Sequence, residues 1–82
     1  MSWRVFATNE SQPDFDKLSE ADRAALDADL FGWVEHGPPR INRRIVGGAR
    51  FFEDAVPSGL VVTYFVNETV PYVAILRVRR RF

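Results

Sequence analysis

The tripeptide Gly37-Pro38-Pro39 divides the chain into two parts with different hydrophobic periods. Proline fixes φ and carries no N–H, so two in succession end any helix that reaches them. Before the break, Ala21, Ala25, Leu26, Ala28, Leu30, Phe31 and Val34 recur at helical spacing, which predicts a helix from about residue 20 to 35. Ser19, followed three residues later by Asp22, is an approximate capping box for its start. Beyond the break the pattern is that of strands. Leu60-Val61-Val62-Thr63-Tyr64-Phe65-Val66 is a β-branched and aromatic run suited to the centre of a sheet.

The remaining elements follow from the same signals. Trp3, Val5 and Ala7 alternate with Arg4, Phe6 and Thr8, which predicts a first strand over about residues 2–8, ended by Asn9 to Pro13. Asp14 to Leu18 reads as one or two helical turns that start after Pro13 and place Phe15 and Leu18 on one side. Arg40 to Val46 is a short extended segment, Gly47-Gly48 a turn or bulge, and Ala49 to Glu53 a strand. Pro57-Ser58-Gly59 and Asn67-Glu68-Thr69 reverse the chain on either side of the central run, and Tyr72 to Val78 forms the last strand. The expected architecture is α+β: β-α-α and then an antiparallel meander, with two helices packed on one face of a small antiparallel sheet. At 82 residues a second domain does not fit, so residues 1–82 are expected to form one. A core this small leaves the chain marginal alone and argues for a partner.

Composition removes several classes of function. There is no cysteine and one histidine, so disulfides, thiolate metal sites and H-E-x-x-H chemistry are excluded, and no cofactor or metal is expected. No apolar run approaches membrane-spanning length and the N-terminus lacks a signal pattern, which makes a cytoplasmic location, away from any membrane, the expectation. Net charge is zero but unevenly spread: residues 1–36 carry three cations against eight anions, net −5, and residues 37–82 eight arginines against three acids, net +5. A local field of that kind suits a nucleic acid or an acidic partner.

The basic half holds the candidate contacts. Arg77, Arg79 and Arg81 share one face of a strand and Arg80 the other, so three of them can track phosphates. Arg40, Arg43 and Arg44 follow the prolines on an exposed loop or edge, where they serve solubility equally well. Glu53 and Asp54, adjacent on a strand, must point to opposite faces, so only one of them can meet an arginine cluster, as a base or as a salt-bridge partner. His36 closes the long helix, where an imidazolium meets the negative end of the helix dipole, and is read as structural. Trp3, Trp33, Phe51, Phe52, Tyr64, Phe65 and Tyr72 are too numerous for a stacking platform, and most are expected in the core.

Four features together resemble the RelE/ParE toxin superfamily of bacterial type II toxin–antitoxin modules over nearly the whole chain. They are Asp14-Phe15-Asp16-Lys17-Leu18-Ser19 leading into the Asp22-Arg23 helix, Gly47-Gly48-Ala49-Arg50, Ser58-Gly59 before Val62-Thr63-Tyr64, and the basic close Arg77-Val78-Arg79-Arg80-Arg81. The resemblance implies a growth-inhibiting toxin with a cognate antitoxin as partner. Its target would be mRNA on the ribosome, as in the RelE and YoeB branches, or DNA gyrase, as in the ParE branch; the alternative is a protein-binding module with the family fold and no toxicity. The chain also departs from the nucleases. The arginine expected on the strand leading to the family tyrosine, here Tyr64, falls near Val61; the family lysines fall near Glu53 and Asp54; and Arg81-Phe82 stands where YoeB-like chains end in histidine and tyrosine. RNA cleavage needs a proton acceptor, a proton donor and cations for the developing charge. The candidates for that chemistry are Glu53, Arg50 and Arg81, with Arg77, Arg79, Arg80, Arg81, Arg43 and Arg44 contacting the nucleic acid or other target.

Overall fold

The computed structural model describes residues 2–81. β1 (Arg4–Ala7) leads into α1 (Gln12–Asp16) and α2 (Glu20–His36), and β2 (Arg43–Val46), β3 (Ala49–Ala55), β4 (Leu60–Asn67) and β5 (Tyr72–Arg80) follow. The strands form one sheet in the order β1-β5-β4-β3-β2. From β2 to β5 it is the expected antiparallel meander. β1 lies parallel to β5, with Arg4 opposite Tyr72 and Ala7 opposite Ile75, so the sheet as a whole is mixed. Alternation along a strand is the same for either direction, which is why the sequence carries no sign of this parallel pair.

α2 begins and ends where its caps dictate. The Ser19 hydroxyl accepts the Asp22 N–H at 3.1 Å, as the capping box predicts. Gly37, at φ +86, donates its N–H to the Trp33 carbonyl at 2.7 Å and turns the chain out of the helix. A Cβ there would sit 2.8 Å from the Trp3 indole nitrogen, so glycine is required on two counts. The buried stripe is Leu26, Leu30 and Trp33. Phe31, which fits the helical spacing on paper, is 62% exposed, because the sheet lies beneath the neighbouring line of residues.

That stripe packs with Phe15 of α1 on Leu60, Val62 and Tyr64 of β4 and Val73, Ile75 and Val78 of β5. Each such side chain contributes roughly 1.5–3 kcal/mol when fully buried. A β-bulge controls which residues of β5 join them. Thr63 pairs with Arg77 and Tyr64 with Ile75, leaving Leu76 unmatched. Val73 and Ile75 therefore share the helix-covered face with Val78, and Arg77 and Arg79 fall on the open one. Without the extra residue, strict alternation would direct Arg77 and Arg79 into the core.

β1 is too short to cover the rest of the β5 edge, and polar groups after it take over. The Thr8 N–H and hydroxyl both donate to the Ile75 carbonyl, at 3.1 and 2.7 Å. Asp14 Oδ2 accepts the Val78 N–H at 2.9 Å. Among the described residues no helix is long and apolar enough to cross a membrane.

Candidate functional site

The two adjacent carboxylates of β3 separate to opposite faces, as the period of a strand requires. Asp54 turns towards the helices and is 2% exposed. It accepts the Tyr64 hydroxyl at 2.6 Å, the Ile41 N–H at 3.1 Å, and the Asn42 N–H and side-chain amide at 2.9 Å each. The Tyr64 oxygen in turn accepts the Arg40 N–H at 2.8 Å. Burial pushes the Asp54 carboxyl up, but the hydrogen bonds it accepts outweigh that and leave it below the ordinary aspartate value. Burial, with the bond to Asp54, raises the Tyr64 phenol far above its ordinary range. This pair ties the segment after the double proline to the sheet, and neither group is available to a ligand.

Glu53 lies on the open face. Its Oε1 is 3.2 Å from Arg79 Nη2 on β5 and 3.8 Å from Arg44 Nη2 on β2, and its Oε2 is 3.5 Å from the Thr63 hydroxyl on β4. Side chains from three other strands thus converge on one β3 carboxylate, itself largely covered, between two arginines that are more than half exposed. The arrangement can hold a phosphate by exchanging one carboxylate contact for another anion, and it sets a base beside two fixed positive charges.

The other predicted arginines are distributed elsewhere. Arg77 reaches over the β5 edge and donates from Nε to Asp14 at 2.9 Å, a contact that holds the Asp14 carboxyl below its ordinary value. Arg80 points to the helix side and pairs with Asp22 of α2. Arg81 is exposed just beyond β5, beside Ser58 and Gly59. Arg43 and Arg50 line a shallow hollow with Phe52, Val66 and Glu68. Arg50 is three residues from Glu53 along β3 and so on the other face, and the structure does not bring the two together. His36 is the exposed last residue of α2.

Sequence reasoning missed an aromatic band on the same open face. Phe6, Tyr72 and Phe65 meet across β1, β5 and β4, with ring centroids 5.6 and 6.1 Å apart. Phe6 and Phe65 are 47% and 39% exposed. Phe65 is one strand repeat, about 7 Å, from Thr63. No sequence signal pointed to it, because it depends on strand register: Phe6 and Phe65 both lie opposite Ala74, whose small side chain leaves room between them.

The same arrangement of strands and helices occurs in solved toxin–antitoxin structures. The toxin–antitoxin complex RelBE2 from Mycobacterium tuberculosis contains a chain that superposes with a TM-score of 0.79 at 24% identity, covering 99% of this chain and 100% of that one. The archaeal RelE–RelB complex from Pyrococcus horikoshii gives 0.74 at 17% identity, over 99% and 97%. The intact E. coli RelBE complex gives 0.73 at 17% identity, over 99% of each chain. This chain has the RelE fold. No protein-family model matches it, and no curated protein does either. At 17–24% identity most residues differ between these chains, and the likeness is one of fold.

Proposed function

We propose that this chain is the toxin of a type II toxin–antitoxin module and that it arrests growth by cutting mRNA on the ribosome. The observation that carries the reading is the Arg44–Glu53–Arg79 cluster on the open face of a RelE fold. A phosphodiester seated between the two guanidinium groups brings the ribose 2′-hydroxyl to Glu53. The carboxylate takes the hydroxyl proton as the oxygen attacks phosphorus. The bond to the 5′-oxygen breaks, leaving a 2′,3′-cyclic phosphate and a 5′-hydroxyl that takes its proton from water. The arginines hold the charge that develops on the phosphoryl oxygens. The exposed aromatic band supplies faces on which flanking bases stack, and its partner in the cell would be an antitoxin.

One observation favours a second reading. Tyr64, the tyrosine that the resemblance matches to the family's, is turned into the core and held by Asp54, so it cannot protonate a leaving oxygen. A toxin that binds and blocks DNA gyrase needs no such donor.

Purified protein added to ribosomes translating a defined mRNA separates the two. Cleavage should appear in primer extension, and Glu53→Gln should slow it by about 10²–10⁴, the usual worth of a positioned base. Intact mRNA together with inhibited DNA supercoiling would replace the nuclease with the gyrase reading. Absence of both activities would leave neither.

A further inference from the structure

An apolar hollow lies between β1 and α2, on the helix side of the sheet and so apart from the Arg44–Glu53–Arg79 cluster of the open face. Its volume is about 340 Å³, and its walls are Val5, Ala7, Phe15, Leu30, Val34 and Ile75. That is near the lower end of the roughly 300–1,000 Å³ usual for small-ligand sites, which points to a compact ligand with one apolar group. The strand that borders it also offers backbone. The Arg4 and Thr8 N–H groups bond to Pro71 and Ile75 at 3.0 and 3.1 Å, so those of Val5 and Ala7, which alternate with them, face away from β5.

Two opposite charges stand at the mouth. Arg23 and Asp27 both line the hollow, both are exposed one turn apart on α2, and neither has an ion-pair partner among the described residues. They do not satisfy each other. A cation four residues before an anion is the weaker order for a helix pair, and the Arg23 guanidinium lies instead over the Phe15 ring, 5.9 Å from its centroid. Gln12, the remaining polar side chain of the lining, is bonded to Asp16 at 3.1 Å. The two charges therefore select among apolar ligands. An apolar carboxylate would meet Arg23 but set its charge against Asp27, an apolar amine would do the reverse, and a zwitterion satisfies both.

We propose that this hollow is a binding site for a free apolar α-amino acid. The carboxylate of the ligand pairs with Arg23 and its ammonium group with Asp27, while its side chain lies against Phe15, Leu30 and Ile75. The Ala7 N–H is a further donor for the carboxylate. The site uses nothing from the open face, so it does not rest on the function proposed above.

The test uses the full chain, isotope-labelled, titrated with L-phenylalanine and with 3-phenylpropanoate and 2-phenylethylamine, which each lack one of its charges. Phenylalanine should bind with a Kd of about 1 mM or tighter, the affinity expected for a ligand of about a dozen non-hydrogen atoms. It should move the amide signals of Val5, Ala7 and Val34 and leave those of Arg44 and Glu53 in place. Each analogue should bind at least about threefold more weakly. Asp27→Asn should bring phenylalanine down to the affinity of phenylpropanoate, and Arg23→Gln to that of phenylethylamine. Ala7→Phe, which fills the hollow from an exposed position, should abolish binding; if that variant does not fold, the two charge variants, both on exposed surface, carry the test. An analogue that binds as well as phenylalanine would overturn the proposal, because the charges would then have no part in recognition. Shifts confined to another surface, or no binding at about ten times the expected Kd, would overturn it too. Loss of toxicity or of RNA cleavage enters none of these readouts, so failure of the functional proposal would be seen separately.

Discussion

Asp54 and Tyr64 decide whether the segment after the prolines stays on the sheet. Tyr64→Phe removes one donor from a buried carboxylate and leaves the Arg40 N–H without its acceptor. It should cost about 1–3 kcal/mol, which lowers the melting temperature by roughly 4–8 °C per kcal/mol in a domain this small. Asp54 and Asp14 both bind protons less readily in the folded protein than at the ordinary value of 3.8. Their stabilisation is therefore complete above that value and is lost as pH falls through the lower, folded-state values. Urea midpoints followed downward from neutral pH should drop below about pH 4, and Asp54→Asn should shallow the fall. A midpoint independent of pH in that window would remove the carboxylates from the stability of the fold.

At the scale of elements, short sequence signals set the ends and turns, and their energies are separable. Gly47 and Gly48 have φ of +58 and +84, the left-handed pair of a two-residue hairpin loop between Val46 and Ala49. Gly48→Ala should cost about 1–2 kcal/mol, because a Cβ in that region approaches the following carbonyl. Ser19→Ala removes the α2 cap and should cost about 1 kcal/mol. Both are measured by thermal unfolding. Neither touches the Arg44–Glu53–Arg79 cluster, so any function of the open face should survive them. The bulge at Leu76 is the element-level feature with most consequence, since it alone puts Arg77 and Arg79 on the open side of β5.

Over the whole molecule, the acidic and basic parts of the sequence fold onto one another. Arg77 pairs with Asp14 and Arg80 with Asp22, so two of the C-terminal arginines are occupied with the helical layer. Arg79 pairs with Glu53 on the open face and Arg81 is exposed beyond β5, so these two are the ones left on the target side. If the chain is a toxin, Arg79→Ala/Arg81→Ala should abolish growth inhibition and His36→Ala should leave it intact. Charged hydrogen bonds to a target contribute roughly 1.5–3 kcal/mol each, so losing two weakens a complex by about 10² or more. Induced expression in a growth assay, with folding checked by circular dichroism, reads the difference. A folded double-arginine variant that still arrests growth would move the target contact away from the end of β5. A complex with an acidic antitoxin should also loosen as salt rises, since exposed ion pairs are screened.

The sequence by itself determined the order of elements, the cap at Ser19, the stop at Gly37, the turns, and the divergence of Glu53 from Asp54. These depend on neighbours a few residues apart, where backbone geometry leaves few alternatives. The stripe read from helical spacing took in Phe31, which is exposed, and left out Trp33, which is buried, because which line of α2 is covered depends on where the sheet lies. Alternation did not reveal that β1 runs parallel to β5, nor that β5 carries an extra residue at Leu76. The predicted grouping of Arg50 with Glu53 and the unpredicted grouping of Arg44 with it are decided by strand register. Only the tertiary structure sets that, because pairing partners far apart in the chain are chosen by the packing of whole faces, and a single bulge shifts every side chain beyond it.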